Sequence, residues 1–288
     1  MIESVRDATR PSRPLITSPA NPRLRAIAAL RDRHERAARR LALVDGAREV
    51  RRAIEAGAAV VEVYLSTEHR TDAEGQATLD LVAAAGIPVV ECGERAFRRI
   101  AYGDRPDGIL AVVETPSTVL AEVRLSAEPL LAVVEGVEKP GNLGAIVRSA
   151  DAAGLDAVIV AGPAADPFHP NAIRASVATV FALPIAVAPS EVVLAWLRER
   201  EIRIVAADAG AGAPYTDADL RGAVAIVLGS EAGGLGPVWR GPGIEAVHIP
   251  MAGLGDSLNV AAAAAVLFFE ARRQRGPVPR RGRAGPPG

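Results

Sequence analysis

LLAVVEGVEKPGNLGAIVRSADAAGLDAVIVAG, residues 130–162, is the stretch that decides the fold. Its first part, LLAVVE, is a nearly continuous apolar run, the pattern of a strand buried on both faces. GNLGAIVRSADAAG (141–154) reads as a helix closed by Gly154, since glycine ends helices at little steric cost. AVIVAG (157–162) is a second strand. Strand, helix and strand in about thirty residues make one unit of a layered α/β fold with a parallel sheet.

The same rhythm continues downstream. Asn171–Thr179 is expected to be helical, FALPIAV (181–187) to hold a short strand, and Ser190–Arg200 to be a helix with Ser190 as its N-cap. IRIVAAD (202–208), AVAIVLG (223–229) and AVHIPM (246–251) read as strands. LNVAAAAAVLFFEARRQR (258–275) reads as a long helix, apolar on nearly every face and basic at its end, which suits the helix dipole. Upstream lies a second, smaller α/β pattern. Asn21–Arg40 has helical periodicity. LALVDG (41–46), VVEVYLS (60–66), IPVVEC (87–92) and GILAVVE (108–114) read as strands, separated by helices at 47–57, 73–86 and 94–101. The expected division is a loose leader over 1–14, a small domain over 15–114, a linker over 115–128, a larger domain over 129–275 and a flexible basic tail over 276–288. At 288 residues, two domains are comfortable.

Composition narrows the function classes. With 49% apolar residues the chain can sustain a large core. A single cysteine, Cys92, excludes an intrachain disulfide framework and a Cys-rich zinc site. The four histidines are scattered without metal-ligand spacing, so no metal is expected. No apolar run is long enough to span a membrane, and Met1–Arg13 lacks the apolar centre of a secretory signal, so the expected compartment is the cytoplasm. The net charge of −1 argues at first against a nucleic-acid partner, but it is an average. Residues 1–55 carry +6, residues 271–288 carry +6, and the body between them carries −13. All the basic residues but Lys139 are arginine, whose planar fork can bond two phosphate oxygens at once.

Three glycine-bearing segments follow strands in the second half: EGVEKPGNLGAIVRSADAAG (135–154), LGSEAGGLG (228–236) and IPMAGLGDSLNVAAAAA (249–265). Turns at the carboxyl ends of strands are where α/β sheets bind ligands, and glycine lets a ligand approach the backbone. Taken singly, Gly136, Gly144 and Gly154 are equally readable as turn or packing glycines. No G-K-[ST] follows the first segment, and a G-x-G-x-x-G reading at 210–215 fails at Tyr215. A nucleotide hydrolase and a dehydrogenase are thereby disfavoured.

Together the three segments resemble the motifs of the SpoU (TrmH) family of the SPOUT class of RNA methyltransferases. The first supplies Asn142, Gly144, Ala145, Ile146, Arg148, Ser149 and Ala150. The second supplies Gly229, Glu231, Gly234 and Leu235. The third supplies Ile249, Pro250, Met251, Ser257, Leu258, Asn259 and Val260. AIRASVATVFALP (172–184) resembles a further stretch of the family, with Arg174 at its basic position. Glu138-Lys139-Pro140 departs from the family's aspartate-proline approach, and Ala178 stands where many members have glycine. The first half is similar, by pattern, to the L30e-like substrate-binding domain of many members.

The resemblance implies a parallel-sheet SPOUT domain with a deep trefoil knot, preceded by a smaller α/β L30e-like domain. It implies transfer of methyl from S-adenosylmethionine to a ribose 2′-hydroxyl of RNA, most naturally 23S ribosomal RNA, by a homodimer. Relatives that confer resistance to ribosome-targeting antibiotics belong to the same family. The implied catalytic residues are Arg148, Asn142, Glu231, Ser257 and Asn259. The implied cofactor contacts are Leu228, Gly229, Gly234, Ile249, Met251 and Leu258. Arg23, Arg25, Arg31, Arg33 and Arg174 are the expected RNA contacts. A literal guanidinium base is expensive: with a reference pKa above 12, deprotonation near pH 7 costs roughly 7–9 kcal/mol. The preferred role for Arg148 is therefore to orient the hydroxyl and stabilise developing negative charge. Its place in an otherwise apolar helix favours a functional or paired charge over a solvated one. Ser257 also reads as an N-cap for the last helix. The alternatives are a tRNA 2′-O-methyltransferase and a non-catalytic RNA-binding protein of the same fold.

Overall fold

The computed structural model describes residues 14–68, 72–102, 108–230 and 233–276. The expected leader, except Pro14, and the expected tail, except Gly276, lie outside them, as does Glu231. The chain divides into two compact units, the first closing at Glu114 and the second opening at Thr115.

In the first unit the elements are β1 (Leu15–Ile16), α1 (Pro22–Ala28), α2 (Arg33–Arg39), β2 (Leu41–Asp45), α3 (Ala47–Glu55), β3 (Val60–Ser66), α4 (Ala73–Ala84), β4 (Val89–Cys92), α5 (Glu94–Ile100) and β5 (Ile109–Glu114). The five strands form one sheet in the order β1-β4-β3-β5-β2. Only β5 runs against the rest, inserted antiparallel between β2 and β3. Leu24, Ile27, Leu30, Leu43, Tyr64, Phe97 and Ile100 form its core. Cys92 is buried at the end of β4, and burial pushes its thiol up to about 11.

The helix expected over 21–40 is broken. Asp32 is extended, and its carboxylate accepts from the backbone N–H of His34 (2.7 Å) and Glu35 (3.2 Å), starting α2 afresh. The buried Arg36 reaches back and donates to the carbonyls of Leu30 (2.8 Å) and Arg31 (2.7 Å). Those are carbonyls that the break leaves without helical partners. The apolar spacing that predicts a helix, Leu24, Ile27, Ala28 and Leu30, ends before the break, and in α2 only Arg36 is buried.

The second unit contains β6 (Leu130–Glu135), α6 (Pro140–Ala153), β7 (Ala157–Ala161), α7 (Pro170–Ser176), β8 (Ile185–Ala188), α8 (Ser190–Glu199), β9 (Arg203–Ala207), β10 (Ala213–Pro214), β11 (Val224–Leu228), β12 (Ile244–His248) and α9 (Val260–Arg275). Its seven strands are all parallel, in the order β10-β12-β9-β11-β6-β7-β8. The central strands are buried throughout, as their apolar runs require. Leu131, Val133, Ile159, Ala225 and Val227 pack with Val193, Trp196 and Leu197 of α8 on one face. Alternating residues such as Ala132, Val134, Val160 and Ile226 are equally buried, so they face the other layer. There α6 packs against α7 and α9, and α9 against β11.

Two local features position the site. Gly154 ends α6 in the left-handed conformation (φ 70°). Gly144 lets α6 lie against α7: a Cβ at 144 would stand 2.3 Å from the Ala172 carbonyl oxygen. Ser190 is not the N-cap of α8. It is the first helical residue, after Pro189, and its hydroxyl donates to Glu135 Oε1 at 2.6 Å. The segment over 115–128 contains a single 3-10 turn, Leu120–Glu122, and Leu120 is buried in the core of the second unit.

The basic end of α9 is structural as well as dipolar. Arg272 Nε donates to the Ala153 carbonyl (2.8 Å), and Arg275 donates to those of Leu220 (2.8 Å) and Glu128 (2.9 Å). These arginines satisfy backbone acceptors at the foot of the domain, so this part of the C-terminal positive charge is already engaged.

Candidate functional site

The carboxyl ends of β9, β11 and β12 open onto one cavity of about 230 Å³. Each strand ends where a small or polar residue interrupts its apolar run, and the chain turns out of the sheet there. Leu228, Gly229, Ser230, Gly234 and Leu235 come from the end of β11 and its loop. Val247, His248, Ile249 and Met251 come from the end of β12. Asp256, Ser257, Leu258, Val260 and Ala263 come from the approach to α9 and its first turn. Ala207, Asp208 and Ala209 come from the end of β9.

All six residues expected to hold a cofactor, Leu228, Gly229, Gly234, Ile249, Met251 and Leu258, line this one cavity, and Ser257 joins them. They are brought together from positions up to thirty residues apart because β9 separates β11 from β12 in the sheet while their ends face the same side. Gly229 has a steric reason. A Cβ there would lie 2.3 Å from the Gly234 carbonyl carbon, 2.5 Å from its oxygen and 2.6 Å from the Leu235 nitrogen. The loop folds back on itself at that point, with Ser230 and Gly234 exchanging backbone hydrogen bonds of 3.1 and 3.0 Å.

Of the expected catalytic residues only Ser257 lines the cavity; Asn259 does not, and Glu231 lies outside the described residues. Asn142 and Arg148 lie on α6 and do not line the cavity. Helix α6 buries Leu143, Ile146, Val147 and Ala150, and Arg148 lies on the exposed side. The apolar character of the helix thus belongs to one face, and the arginine stands on the other, in contact with solvent. Asn259 rather than Ser257 caps α9, its side chain accepting from the Ala261 N–H at 3.0 Å. The whole stretch Met251–Asn259 is exposed, with Leu254 fully so.

Of the expected RNA contacts, Arg25, Arg33 and Arg174 are exposed. Arg23 is exposed too; it forms an ion pair with Glu62 and donates to the Tyr64 hydroxyl at 2.8 Å. That pair raises the guanidinium's pKa. Arg31 donates to the Ala101 carbonyl.

Sequence reading missed four polar residues in the cavity wall: Asp208, Ser230, His248 and Asp256. Asp208 accepts from the Gly210 N–H at 2.9 Å, and its other oxygen lies 3.9 Å from Arg240. His248 Nδ1 is buried with no hydrogen-bond partner among the described residues. A buried polar atom left open beside a cavity is a group that a ligand can satisfy. The only signal in the sequence was position, since Asp208 and His248 both stand at strand ends.

This wall suits a nucleoside-like, cationic ligand. Leu228, Ile249, Met251, Leu258 and Val260 give apolar surface for a flat base, Gly229 gives open backbone, and two carboxylates favour positive charge. No group of three or more His, Cys, Asp or Glu that could hold a metal ion occurs among the described residues.

Comparison with known proteins follows the same division of the chain. Residues 129–269 match the model of the SpoU rRNA Methylase family, and residues 21–111 match the MRM3-like substrate binding domain. The chain is 35% identical over 200 residues to a 23S rRNA (uridine(2479)-2′-O)-methyltransferase of Streptomyces viridochromogenes, covering 67% of each. It is 40% identical to an RNA 2′-O ribose methyltransferase of known crystal structure, covering 90% of this chain and 98% of that one, with a TM-score of 0.80. An AdoMet-bound rRNA methyltransferase from Sinorhizobium meliloti is 30% identical over 90% of this chain and 97% of its own, with a TM-score of 0.79.

Gly229→Ala is expected to push the 230–235 loop away from the strand end. The measurable consequence is a loss of about tenfold or more in affinity for S-adenosylmethionine, the ligand the resemblance assigns to this cavity, by calorimetry. An unchanged affinity would show that the loop does not shape the binding surface.

Proposed function

The chain belongs to the SpoU rRNA methylase family, and from that premise we propose that it transfers the methyl group of S-adenosylmethionine to a ribose 2′-hydroxyl of 23S ribosomal RNA. The observation that carries this reading is the convergence of the second and third glycine-bearing segments on one cavity at the carboxyl ends of a parallel sheet. Bound there, S-adenosylmethionine supplies an electrophilic methyl group on a sulfonium centre.

The roles of the chain's own residues follow from where they stand. Backbone at Leu228, Gly229, Ile249 and Leu258 holds the cofactor, and the apolar side chains around it exclude water. Asp208 and Asp256 favour a cationic ligand in the same wall. A ribose hydroxyl is a weak acid and a poor nucleophile, so placement in line and help with its proton are both needed. Arg148 orients that hydroxyl and stabilises the charge that develops on it, with Asn142 positioning the arginine or the ribose. Glu231, Ser257 and Asn259 complete the network.

A second copy of the chain is proposed to bring these groups together. Arg148 is exposed and outside the cavity wall, and the Met251–Asn259 stretch is exposed on the cavity side. Met251, Leu254, Leu258 and the α9 residue Phe269 present large apolar surface to solvent. A homodimer covers that surface and brings the Arg148 of one chain to the cavity of the other. Sedimentation at micromolar concentration should give a dimer; a monomer there would contradict the shared site.

The path of the chain also favours the trefoil knot. From β11 it runs past β9 to β12, then returns across the sheet so that α9 lies on α6 and β11. The first unit is proposed to be the L30e-like RNA-recognition domain, with Arg25 and Arg33 facing solvent for phosphate contact.

Methylation of total ribosomal RNA in vitro, mapped by primer extension, is expected to give a single 2′-O-methyl stop in 23S RNA. Cofactor binding without methyl transfer to any ribosomal RNA would favour the non-catalytic reading. In the same assay Arg148→Lys is expected to lower turnover by about a hundredfold or more while leaving cofactor affinity near that of the wild type. Near-normal turnover would remove any role that needs the guanidinium.

A further inference from the structure

We propose that Glu135, the last residue of β6, is a positioning residue that clamps the cofactor loop in its binding conformation. The proposal rests on the cavity being the S-adenosylmethionine site.

The loop from Gly229 to Gly236 has glycine at 229, 233, 234 and 236. Such a segment has the largest conformational freedom to lose, so it does not hold one shape on local preference alone. Among the described residues of the loop only Leu235 is an apolar side chain packed in the core. Ser230 ties its near part, exchanging backbone hydrogen bonds with Gly234 and accepting from the Gly233 N–H at 3.0 Å, which leaves the far end at Gly236 to be fixed.

Glu135 is placed to do so. The carboxylate stands at the carboxyl end of an otherwise fully apolar strand, beside β11, whose end carries the loop. Its Oε2 accepts from the Gly236 N–H at 2.6 Å. Its Oε1 accepts from the Ser190 hydroxyl at 2.6 Å, at the start of α8. One side chain thus ties together points 101 and 55 residues away in sequence. The neighbouring residue, Gly136, takes φ 65° and passes so close to the loop that a Cβ there would lie 3.3 Å from Ser230 Cβ. Gly236 is likewise bare where the carboxylate sits: a Cβ would stand 3.1 Å from Oε2. Ser190 in turn lies under Gly162, whose Cβ would come 3.2 Å from its hydroxyl. The carboxylate, its two donors and three glycines form one fitted contact, directly behind the residues Ser230, Gly234 and Leu235 that face the cavity.

Glu135 does not line the cavity, so it acts through the loop. Its loss should therefore weaken cofactor binding and loosen the Gly236 amide together. Glutamine offers a discriminating replacement. Its amide oxygen can still accept from the Gly236 N–H, and its NH2 can donate to a Ser190 hydroxyl turned the other way.

The test uses the full chain, with S-adenosylmethionine as the calorimetric ligand and amide hydrogen exchange as a second readout. Wild-type binding is measured first; its absence would overturn the cavity assignment and the clamp with it. With wild-type binding established, Glu135→Ala is expected to raise the dissociation constant about tenfold and to speed exchange at Gly236, while Glu135→Gln stays within about threefold of the wild type in binding. Glu135→Asp keeps the charge but is one methylene too short to reach both donors, and should behave like the alanine variant. If the alanine variant does not fold, the aspartate variant decides. Binding within twofold of the wild type, with unchanged Gly236 exchange, in a folded alanine or aspartate variant would overturn the clamp while leaving the cofactor site standing.

Discussion

Backbone passing against backbone, with no side chain between, is the constraint on which the second unit depends. At Gly229 the chain doubles back so tightly that the carbonyl of Gly234 occupies the space of a side chain. At Gly144 the helix α6 rests on the carbonyl of Ala172 in α7. The first contact shapes the cavity and the second sets the helix that carries Asn142 and Arg148. Both require glycine because the obstructing atoms are backbone and cannot rotate away.

Around these contacts the chain uses polar side chains as fasteners. Glu135 holds the loop after β11, Arg272 and Arg275 hold the end of α9, and Arg36 holds the break between α1 and α2. Each satisfies backbone groups that a turn or helix end would leave unpaired. Arginine is suited to the task because one planar fork can bond several carbonyls. The arginine-rich composition therefore has two uses. Some of the charge faces outward, as at Arg25, and some is used within the fold.

The relation between sequence and site was uneven. LLAVVE and AVIVAG announced buried parallel strands because a strand covered on both faces leaves no room for polar residues. The six expected cofactor residues could be named because they stand in motifs that follow two other apolar runs, AVAIVLG and AVHIPM. The break at Asp32 and the true cap at Asn259 were not legible, since one aspartate in a charged, helix-forming run carries no pattern that marks it as a cap and both Ser257 and Asn259 are capping residues. Asp208 and His248 were missed because a lone carboxylate or imidazole at a strand end carries no pattern of its own. β5 was read correctly as a strand, but its direction depends on where it is inserted in the sheet, which alternation of apolar residues does not encode.

By itself, then, the sequence determined the class of fold, the order of strands and helices in the second unit apart from the two-residue β10, and the segments that converge on the cavity. Apolar periodicity and glycine placement are local properties, and local properties can be read along a line. Tertiary structure alone decided which residues meet. It set the strand order that brings the ends of β9, β11 and β12 to one cavity, and it put Arg148 on an open face rather than in an apolar interior. It also joined Glu135 to Gly236 across 101 residues. Those outcomes depend on packing between distant segments, where the competition is between whole arrangements of the chain rather than between neighbouring residues.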